Sequence, residues 1–261
     1  MLFSMVIAQI SDLHIGAAGH LAFGYIDTAA CLARCVRSIL HIQPRPHIVV
    51  ASGDLVDMGT AEEYRRLREL LAPLPMPVYL MPGNHDDRSA LRTGFSDHGY
   101  LPSRGTLHYS VETEALRLIM LDTVVPGTDG GALDPRQMEW LATTLAAAPD
   151  RPVLIFMHHP PIMTGIRCMD EIALAADDTA ELGTLIARCP RIERISCGHV
   201  HRVVEARWSG TVVGICPSTA FQGILDLRKE GFDVATDEPP AYQVHYWNGA
   251  QLVTHTLQVV D

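Results

Sequence analysis

Five short polar segments of the sequence combine residue types that bind metal ions. The segments are Asp12-Leu13-His14, Gly53-Asp54, Gly83-Asn84-His85-Asp86, His158-His159-Pro160 and Gly198-His199-Val200-His201. Carboxylate and amide oxygens together with imidazole nitrogens, and without a thiolate, suit Mn, Fe, Zn or Co. Side chains two residues apart in an extended segment share a face, so Asp12 and His14 can reach one cation. The same spacing joins His199 to His201.

Each of these segments directly follows a predicted strand. The five strands are predicted at Val6–Ile10, Ile48–Ala51, Val78–Met81, Val153–Met157 and Ile192–Ser196. Open α/β sheets collect ligands at the carboxyl ends of their strands. We therefore expect the polar segments to meet at one edge of the fold and to form a metal cluster there.

The elements between these strands favour an α/β fold. Helices are predicted at Thr28–Ile42, Ala61–Leu71, Pro135–Ala147 and Glu181–Cys189, and further strands at His108–Thr113, Leu116–Leu121, Val203–Trp208, Thr211–Ile215, Tyr242–Trp247 and Leu252–Leu257. Strands that alternate with helices imply βαβ units and a largely parallel sheet. Asn248-Gly249 is a hairpin signal between the last two strands. The charged stretch Asp226–Pro240 is predicted to be an excursion or arm.

The charge balance argues against a polyanionic partner. The 261 residues carry a formal net charge of −10, and Lys229 is the only lysine. An acidic surface repels nucleic acid at long range, so no nucleic-acid polymer is expected as a partner. Positive charge for phosphate chemistry must then come from bound metal ions.

The cysteines and the N-terminus indicate the cytoplasm. The six cysteines contain no CxxC pair, which favours reduced thiols in a reducing compartment. The opening MLFSMVIAQI has no basic leader or cleavage site and reads as a first buried strand. No stretch approaches the roughly 18 apolar residues of a membrane span, and no membrane association is expected.

The ordered motifs resemble those of a known family. The set DxH, GD, GNHD, HHP and GHVH, spanning residues 10 to 201, resembles the calcineurin-like metallophosphoesterases. The stretches FGYIDT, GDLVDMG, PGNHDD and FMHHPP are similar to the branch that holds class III cyclic nucleotide phosphodiesterases and bacterial glycerophosphodiesterases. The resemblance implies an α/β fold, a four-layer αββα sandwich of two mixed β-sheets flanked by helices.

The resemblance also implies a role for each motif residue. Asp12, His14 and His201 would hold one divalent ion, Asn84, His158 and His199 a second, and Asp54 would bridge both. His85 would contact the phosphate, together with Asn84, and protonate the leaving group. The carboxylate of Asp57 would pair with His85 and fix its tautomer. His159 would support the ligands or face the substrate.

The implied reaction is hydrolysis of a small phosphodiester, such as a cyclic nucleotide or a glycerophosphodiester, by a hydroxide held on two divalent ions. A phosphomonoesterase is the main alternative, and a DNA nuclease or a non-catalytic scaffold are further ones. His20 lies in the loop after the first ligand pair, where it could line the mouth of the site.

The domain organisation follows from where the motifs end. Residues 1–208 are expected to form the catalytic domain, and residues 209–261 to add strands and an arm to that same domain. Because this C-terminal part carries no motif residue, it is a candidate cap or self-association element, and a homo-oligomer is expected. The sequence leaves open the physiological substrate, the native metals and the role of Asp226–Pro240.

Overall fold

Two mixed β-sheets form the centre of the protein, and the structure, a computed structural model, describes residues 4–228 and 235–260. The strands are β1 (Met5–Ile10), β2 (Ile48–Ser52), β3 (Val78–Met81), β4 (Tyr109–Glu112), β5 (Arg117–Leu121), β6 (Val153–Met157), β7 (Ile192–Cys197), β8 (Val204–Trp208), β9 (Thr211–Ile215), β10 (Gln222–Gly223), β11 (Ala235–Thr236), β12 (Ala241–Trp247) and β13 (Leu252–Gln258). The first sheet has the order β13-β12-β1-β2-β3, and the second β4-β5-β6-β7-β9-β8. The short strands β10 and β11 form a separate two-stranded sheet.

Parallel pairing at the centre of each sheet aligns the strand ends that carry the polar motifs. β1, β2 and β3 are parallel neighbours in the first sheet, and β5, β6, β7 and β9 are parallel in the second. Antiparallel strands β12 and β13 extend the first sheet beside β1. The segment after residue 208 therefore supplies strands to both sheets.

Helices cover the outer faces of the sheets. They are α1 (Thr28–His41), α2 (Ala61–Leu71), α3 (Arg88–Gly94), α4 (Pro135–Ala146), α5 (Arg167–Asp170) and α6 (Ala176–Ile186). Side chains cap several of their first turns and satisfy amide N–H groups that the helix itself leaves without an acceptor. Asp27 accepts from the amide of Ala30 at the start of α1, and Thr60 forms a capping box with Glu63 in α2.

Three apolar clusters mark the three interfaces between the four layers. Alternate residues of β1 face opposite sides, as expected for a strand. Val6 packs against α1 and α2, whereas Ile7 points between the sheets, where it meets Leu118 and Phe156 of the second sheet. A third cluster joins α4 and α6 to the outer face of the second sheet. The αββα sandwich and its two mixed sheets are therefore confirmed.

The helix boundaries depart from prediction in places. The helix predicted at Glu181–Cys189 is α6 and begins at Ala176, because Asp177 and Asp178 favour the first turn of a helix. The short helix α3 has no strong apolar periodicity, and its start is the cap that Asp87 provides to Ala90. Of the predicted arm Asp226–Pro240, residues 229–234 lie outside the described residues. No helix among the described residues is long and apolar enough to cross a membrane.

Candidate metal centre

The predicted ligands converge on the seam between the two sheets. Asp12 and His14 follow β1, Asp54 follows β2 and Asn84 follows β3. From the second sheet, His158 follows β6, and His199 and His201 follow β7. Six of these seven side chains are buried, and Asn84 is half-buried.

A rare backbone conformation aims most of these side chains. Five ligands have a positive φ: Asp12 (53°), His14 (43°), Asp54 (47°), His199 (74°) and His201 (53°). In residues other than glycine this left-handed region costs roughly 1–2 kcal/mol and persists only where surrounding contacts impose it. Here the amides of Asp12 and His14 donate to the carbonyls of Gly53 and Asp54 at 3.0 Å each. Backbone strain is therefore concentrated at the residues whose side chains must point toward the candidate metal centre.

Glycine at position 83 permits the close approach of the loops. A Cβ atom added to Gly83 would lie 2.3 Å from the backbone nitrogen of Asp54 and 2.7 Å from Nε2 of His158. Such distances are far inside van der Waals contact, so a side chain here would push Asp54 and His158 apart.

The first subsite is formed by Asp12, His14, Asp54 and His201. Nε2 of His14 lies 3.1 Å from Nε2 of His201 and 3.6 Å from Oδ2 of Asp54. Nε2 of His201 lies 3.4 Å from Oδ1 of Asp12. These four side chains offer ligand atoms within 4.8 Å of one another.

The second subsite is formed by Asn84, His158 and His199. Oδ1 of Asn84 lies 3.2 Å from Nε2 of His158 and 3.1 Å from Nδ1 of His199. Nε2 of His158 is also 3.4 Å from Oδ2 of Asp54. One carboxylate oxygen of Asp54 therefore faces both subsites, which is the position a bridging ligand needs.

Backbone carbonyls behind the cluster fix the tautomers of three histidines. The pairs are His158 Nδ1 with the Ser52 oxygen at 3.0 Å, His201 Nδ1 with the Phe221 oxygen at 3.0 Å, and His199 Nε2 with the Ile172 oxygen at 3.1 Å. A carbonyl oxygen only accepts, so each of these ring nitrogens carries the hydrogen. The opposite nitrogen of each ring is left to face the centre as a ligand.

Two observations fit this cluster to metal cations. His201 donates a hydrogen bond through Nδ1, so its Nε2 carries a lone pair. This lone pair is directed at Nε2 of His14, 3.1 Å away. Two imidazole nitrogens stay this close only when a proton or a cation lies between them. Oδ2 of Asp12 is buried and has no hydrogen-bond partner among the described residues. A buried carboxylate oxygen without a partner is costly unless a cation meets it. The donor set therefore fits two divalent ions.

Burial and charge tune the histidines of the cluster in opposite directions. Burial lowers the pKa of His201, and that of His199 falls well below its usual value for the same reason, so both present neutral nitrogens. Burial also lowers the pKa of His158, but attraction to Asp54 and a hydrogen bond with it raise the pKa to about 9 overall. A proton on His158 thus occupies the place that a cation takes, and the two compete.

His85 lies at the open side of the centre, beside His14 and Asp54. Its amide donates to Oδ1 of Asp54 at 3.0 Å, and its ring stands edge-on to His14 with centroids 4.6 Å apart. Nδ1 of His85 is 2.8 Å from the backbone oxygen of Asp57, which leaves Nε2 free to face a ligand. The side chain is exposed.

The carboxylate of Asp57 does not make its expected pair with His85. Its Oδ1 lies 3.4 Å from Nδ1 of His14, and its Oδ2 lies 3.4 Å from Nε2 of His20. The backbone carbonyl of Asp57 takes over the role of orienting His85. Asp57 therefore contacts three histidines through two different groups, its carboxylate and its backbone carbonyl, which the spacing alone did not reveal. His20 lines the cavity over the metal centre, as the sequence suggested.

The sequence predicts that His159 either supports the ligands or faces the substrate, and its buried position favours the first role. Its ring is fully buried, with Nδ1 2.7 Å from Oγ1 of Thr123 and Nε2 3.0 Å from the oxygen of Asp129. Burial lowers its pKa to about 3, so it is a neutral imidazole. Its ring packs 4.6 Å from that of His199, and it supports the second subsite from behind.

Asp86 is the last residue of the GNHD motif, and the sequence predicts no role for it. The structure shows that it supports the site. Its buried carboxylate accepts hydrogen bonds from the amides of Leu55 and Gly83 and from the hydroxyl of Tyr64. These bonds tie the loops that carry Asp54, Asn84 and His85. Burial raises the pKa of Asp86 to about 6.

A cavity of about 410 Å³ opens over the centre. His14, Asp54, Asn84, His199 and His201 form its floor. Its walls include apolar side chains that no polar motif marks: Ala22, Phe23, Met169, Ile172 and Phe221. Its volume lies within the usual range for small-molecule sites, roughly 300–1,000 Å³.

Comparison with known proteins agrees with this geometry. Residues 5–203 match the family described as calcineurin-like phosphoesterase. The chain is 36% identical over 256 residues to a probable glycerophosphodiester phosphodiesterase of Arcobacter nitrofigilis, covering 98% of this chain and 93% of the relative. It is 31% identical over 216 residues to a 3′,5′-cyclic adenosine monophosphate phosphodiesterase of Escherichia coli, covering 83% and 76%. A dimetal phosphatase from Danio rerio shares the fold, with a TM-score of 0.65, 14% identity and coverage of 98% and 99%.

Proposed function

Because the chain belongs to the calcineurin-like phosphoesterase family, we propose that it hydrolyses small-molecule phosphodiesters at a bridged pair of divalent metal ions. Cyclic nucleotides and glycerophosphodiesters are the first candidate substrates, since relatives are named for both. The observation that carries the proposal is the single oxygen of Asp54, 3.6 Å from His14 and 3.4 Å from His158, which lies between two separate ligand sets.

Each ligand set has a defined part in the proposed centre. Asp12, His14 and His201 would hold one ion, Asn84, His158 and His199 the other, with Asp54 shared. When bound, two divalent ions neutralise phosphoryl charge and lower the pKa of an attacking water. Mn, Fe, Zn and Co all match this donor set.

The side chains at the open face would handle the substrate. Asn84 and His85 line the cavity beside the bridging carboxylate. With Nδ1 held by the Asp57 carbonyl, protonated His85 can offer its Nε2–H to the departing alkoxide. Asp57 is a positioning residue here, because its carboxylate contacts His14 and His20 and its carbonyl orients His85.

The charge of the site favours diesters over monoesters. A monoester is largely dianionic at neutral pH, because its second pKa is about 6, and enzymes that select a dianion add Arg or Lys beside the metals. None of the described residues that line the cavity is Arg or Lys. The three arginines close in sequence to the motif or cavity residues contact other groups: Arg88 pairs with Asp122, Arg167 with Glu171 and Arg202 with Glu238.

We therefore expect a higher kcat/KM for bis-p-nitrophenyl phosphate than for p-nitrophenyl phosphate. The two compounds share a leaving group and differ in charge, so the ratio reports the preference of the site. The measurement uses both substrates at one pH with added Mn, and a chelator-treated sample serves as the control. A monoester value tenfold above the diester value would reverse the assignment to a phosphomonoesterase.

The proposed setting is the cytoplasm. No disulfide joins the six cysteines, all of which lie among the described residues. This agrees with a reducing compartment.

Self-association is proposed through the edge strand β13. It is the outermost strand of the first sheet, and residues 248–260 contain no Asp, Glu, Lys or Arg. Exposed edges without charge are sites where a second copy can add a strand.

We expect light scattering at micromolar concentration to give a mass above the 28.6 kDa of one chain. His255→Lys places a charge on the exposed part of this edge and is expected to lower the mass toward the monomer, since edge lysines block strand addition. Thr184→Lys, which adds the same charge at an exposed neutral residue of α6, is the control. A monomeric wild-type protein would rule out the edge as an interface.

A further inference from the structure

A small hairpin places an exposed aromatic side chain over the metal centre. The amides and carbonyls of Ala22 and Ile26 bond to each other at 2.9 Å in both directions. Phe23, Gly24 and Tyr25 form the tip, where Phe23 has a φ of 52° and Gly24 a φ of 78°. Phe23 is 60% exposed. A bulky residue in the left-handed region is an outlier, and one so exposed gains little from packing, which points to a functional role.

The segments on both sides of the hairpin are bonded to the body of the protein. Arg66 donates to the carbonyl oxygens of Gly16 and Ala17 at 2.8 Å each. At the other end, Oγ1 of Thr28 donates to the carbonyl oxygen of His14 at 2.8 Å. The tip is therefore fixed to the same segment that carries the first metal ligands, and Phe23 is preorganised relative to the centre.

Phe23 forms a right-angled corner with Phe221. The two ring centroids are 4.9 Å apart at an interplanar angle of 83°. The ring of Phe221 lies 4.5 Å from that of His201 and 5.3 Å from that of His14. A continuous row of rings thus leads from the first subsite outward to the hairpin tip.

The opposite wall is also apolar. Met169 and Ile172 line the same cavity, while the backbone oxygen of Ile172 is occupied by His199. A glycerol group lying against these apolar side chains would find no hydrogen-bond partner among them, which costs free energy. A flat aromatic group would instead stack on a ring and fill the slot, as nucleobases do on protein aromatics.

We propose that Phe23, set against Phe221, is a specificity-determining residue that receives the nucleobase of a nucleoside phosphodiester while the phosphate lies on the metal centre. The inference rests on the proposed phosphodiesterase activity and names the substrate class within it. The perpendicular rings of Phe23 and Phe221 favour binding of an ester that carries a base over binding of an aliphatic ester.

The test compares two diesters in the holoenzyme. The substrates are 3′,5′-cyclic AMP, which carries a base, and glycerophosphoethanolamine, which carries none, and kcat/KM is measured for each with Mn. Wild-type protein is expected to prefer the cyclic nucleotide. Phe23→Ala is expected to lower its kcat/KM about tenfold or more, within the range known for the loss of one base–aromatic stack, and to change the aliphatic value less than about twofold.

Tyr25→Ala is the matched control. Tyr25 is 65% exposed on the same hairpin tip, yet it does not line the cavity, so both substrates should keep their wild-type values. Phe23→Tyr should restore the preference, because it retains a ring.

Each outcome has a distinct meaning. Equal losses on both substrates in Phe23→Ala, or a wild-type preference for the aliphatic diester, would overturn the role of Phe23 and leave phosphodiester hydrolysis standing. A change in molecular mass without a change in selectivity would assign Phe23 to a subunit contact and also overturn the proposal. Failure of the wild-type holoenzyme on both diesters would instead remove the proposed function itself.

Discussion

Asp54→Ala is expected to release at least one metal ion per chain and to abolish nearly all hydrolysis. Oδ2 of Asp54 is the oxygen that faces both subsites, 3.6 Å from Nε2 of His14 and 3.4 Å from Nε2 of His158. Burial alone would raise the pKa of Asp54, but the attraction of His158, a hydrogen bond with it and the attraction of His14 and His85 together hold the pKa well below its usual value, so the carboxylate stays charged. Without this carboxylate two divalent ions would repel each other a few ångströms apart with less compensation.

Elemental analysis after gel filtration, together with kcat for a chromogenic diester, measures this result. Asp97→Ala is the matched control, since Asp97 is an exposed carboxylate paired with Arg68 at the surface. It should retain wild-type metal content and turnover. A variant of Asp54 that keeps two ions per chain and near-normal turnover would show that the centre is not bridged by this residue.

His85→Ala is expected to keep both metal ions and to lose on the order of 10²–10⁴ in rate, the usual contribution of a general acid. The ring lies at the open side of the centre, and Nδ1 is held by the Asp57 carbonyl. The loss should be largest for diesters with an alkoxide leaving group. It should be smaller for p-nitrophenyl esters, because nitrophenolate departs without protonation.

Asp57→Asn is the informative companion, because it keeps the backbone carbonyl that orients His85 and changes only the carboxylate that contacts His14 and His20. It should cost less rate than His85→Ala and show no dependence on the leaving group. Loss of metal on His85→Ala, or equal losses with alkyl and nitrophenyl leaving groups, would remove His85 from the role of acid.

The convergence of the predicted ligands could be expected from sequence, because the position of each one is set by the end of its own strand. Asp12 and His14 follow a buried strand at a spacing of two, and Asp54 follows another strand directly after a glycine. Parallel strands bring such ends to one edge whatever the rest of the chain does. The motif order then pointed to the four-layer fold that the two sheets confirm.

The remaining parts of the site depend on contacts between distant segments. Asp57 and His85 are 28 residues apart. Only the paths of their two loops determine that the backbone carbonyl of Asp57, and not its carboxylate, contacts the ring of His85. His159 follows a ligand directly, but adjacent side chains diverge, and Thr123 and Asp129 enclose it. Phe221 carries no polar signal at all, and its position against His201 follows from the turn after β9.

The candidate metal centre lies between the two sheets, and this position limits the stage of protein synthesis at which metal ions can bind. Each subsite draws ligands from both sheets, the first spanning residues 12 to 201 and the second residues 84 to 199. A nascent chain that has not yet emerged as far as residue 199 holds at most part of either set, so tight chelation waits for synthesis and docking of the two halves. The proposed ions would then cross-link segments far apart in sequence, and they would stabilise the finished protein by binding the folded state alone.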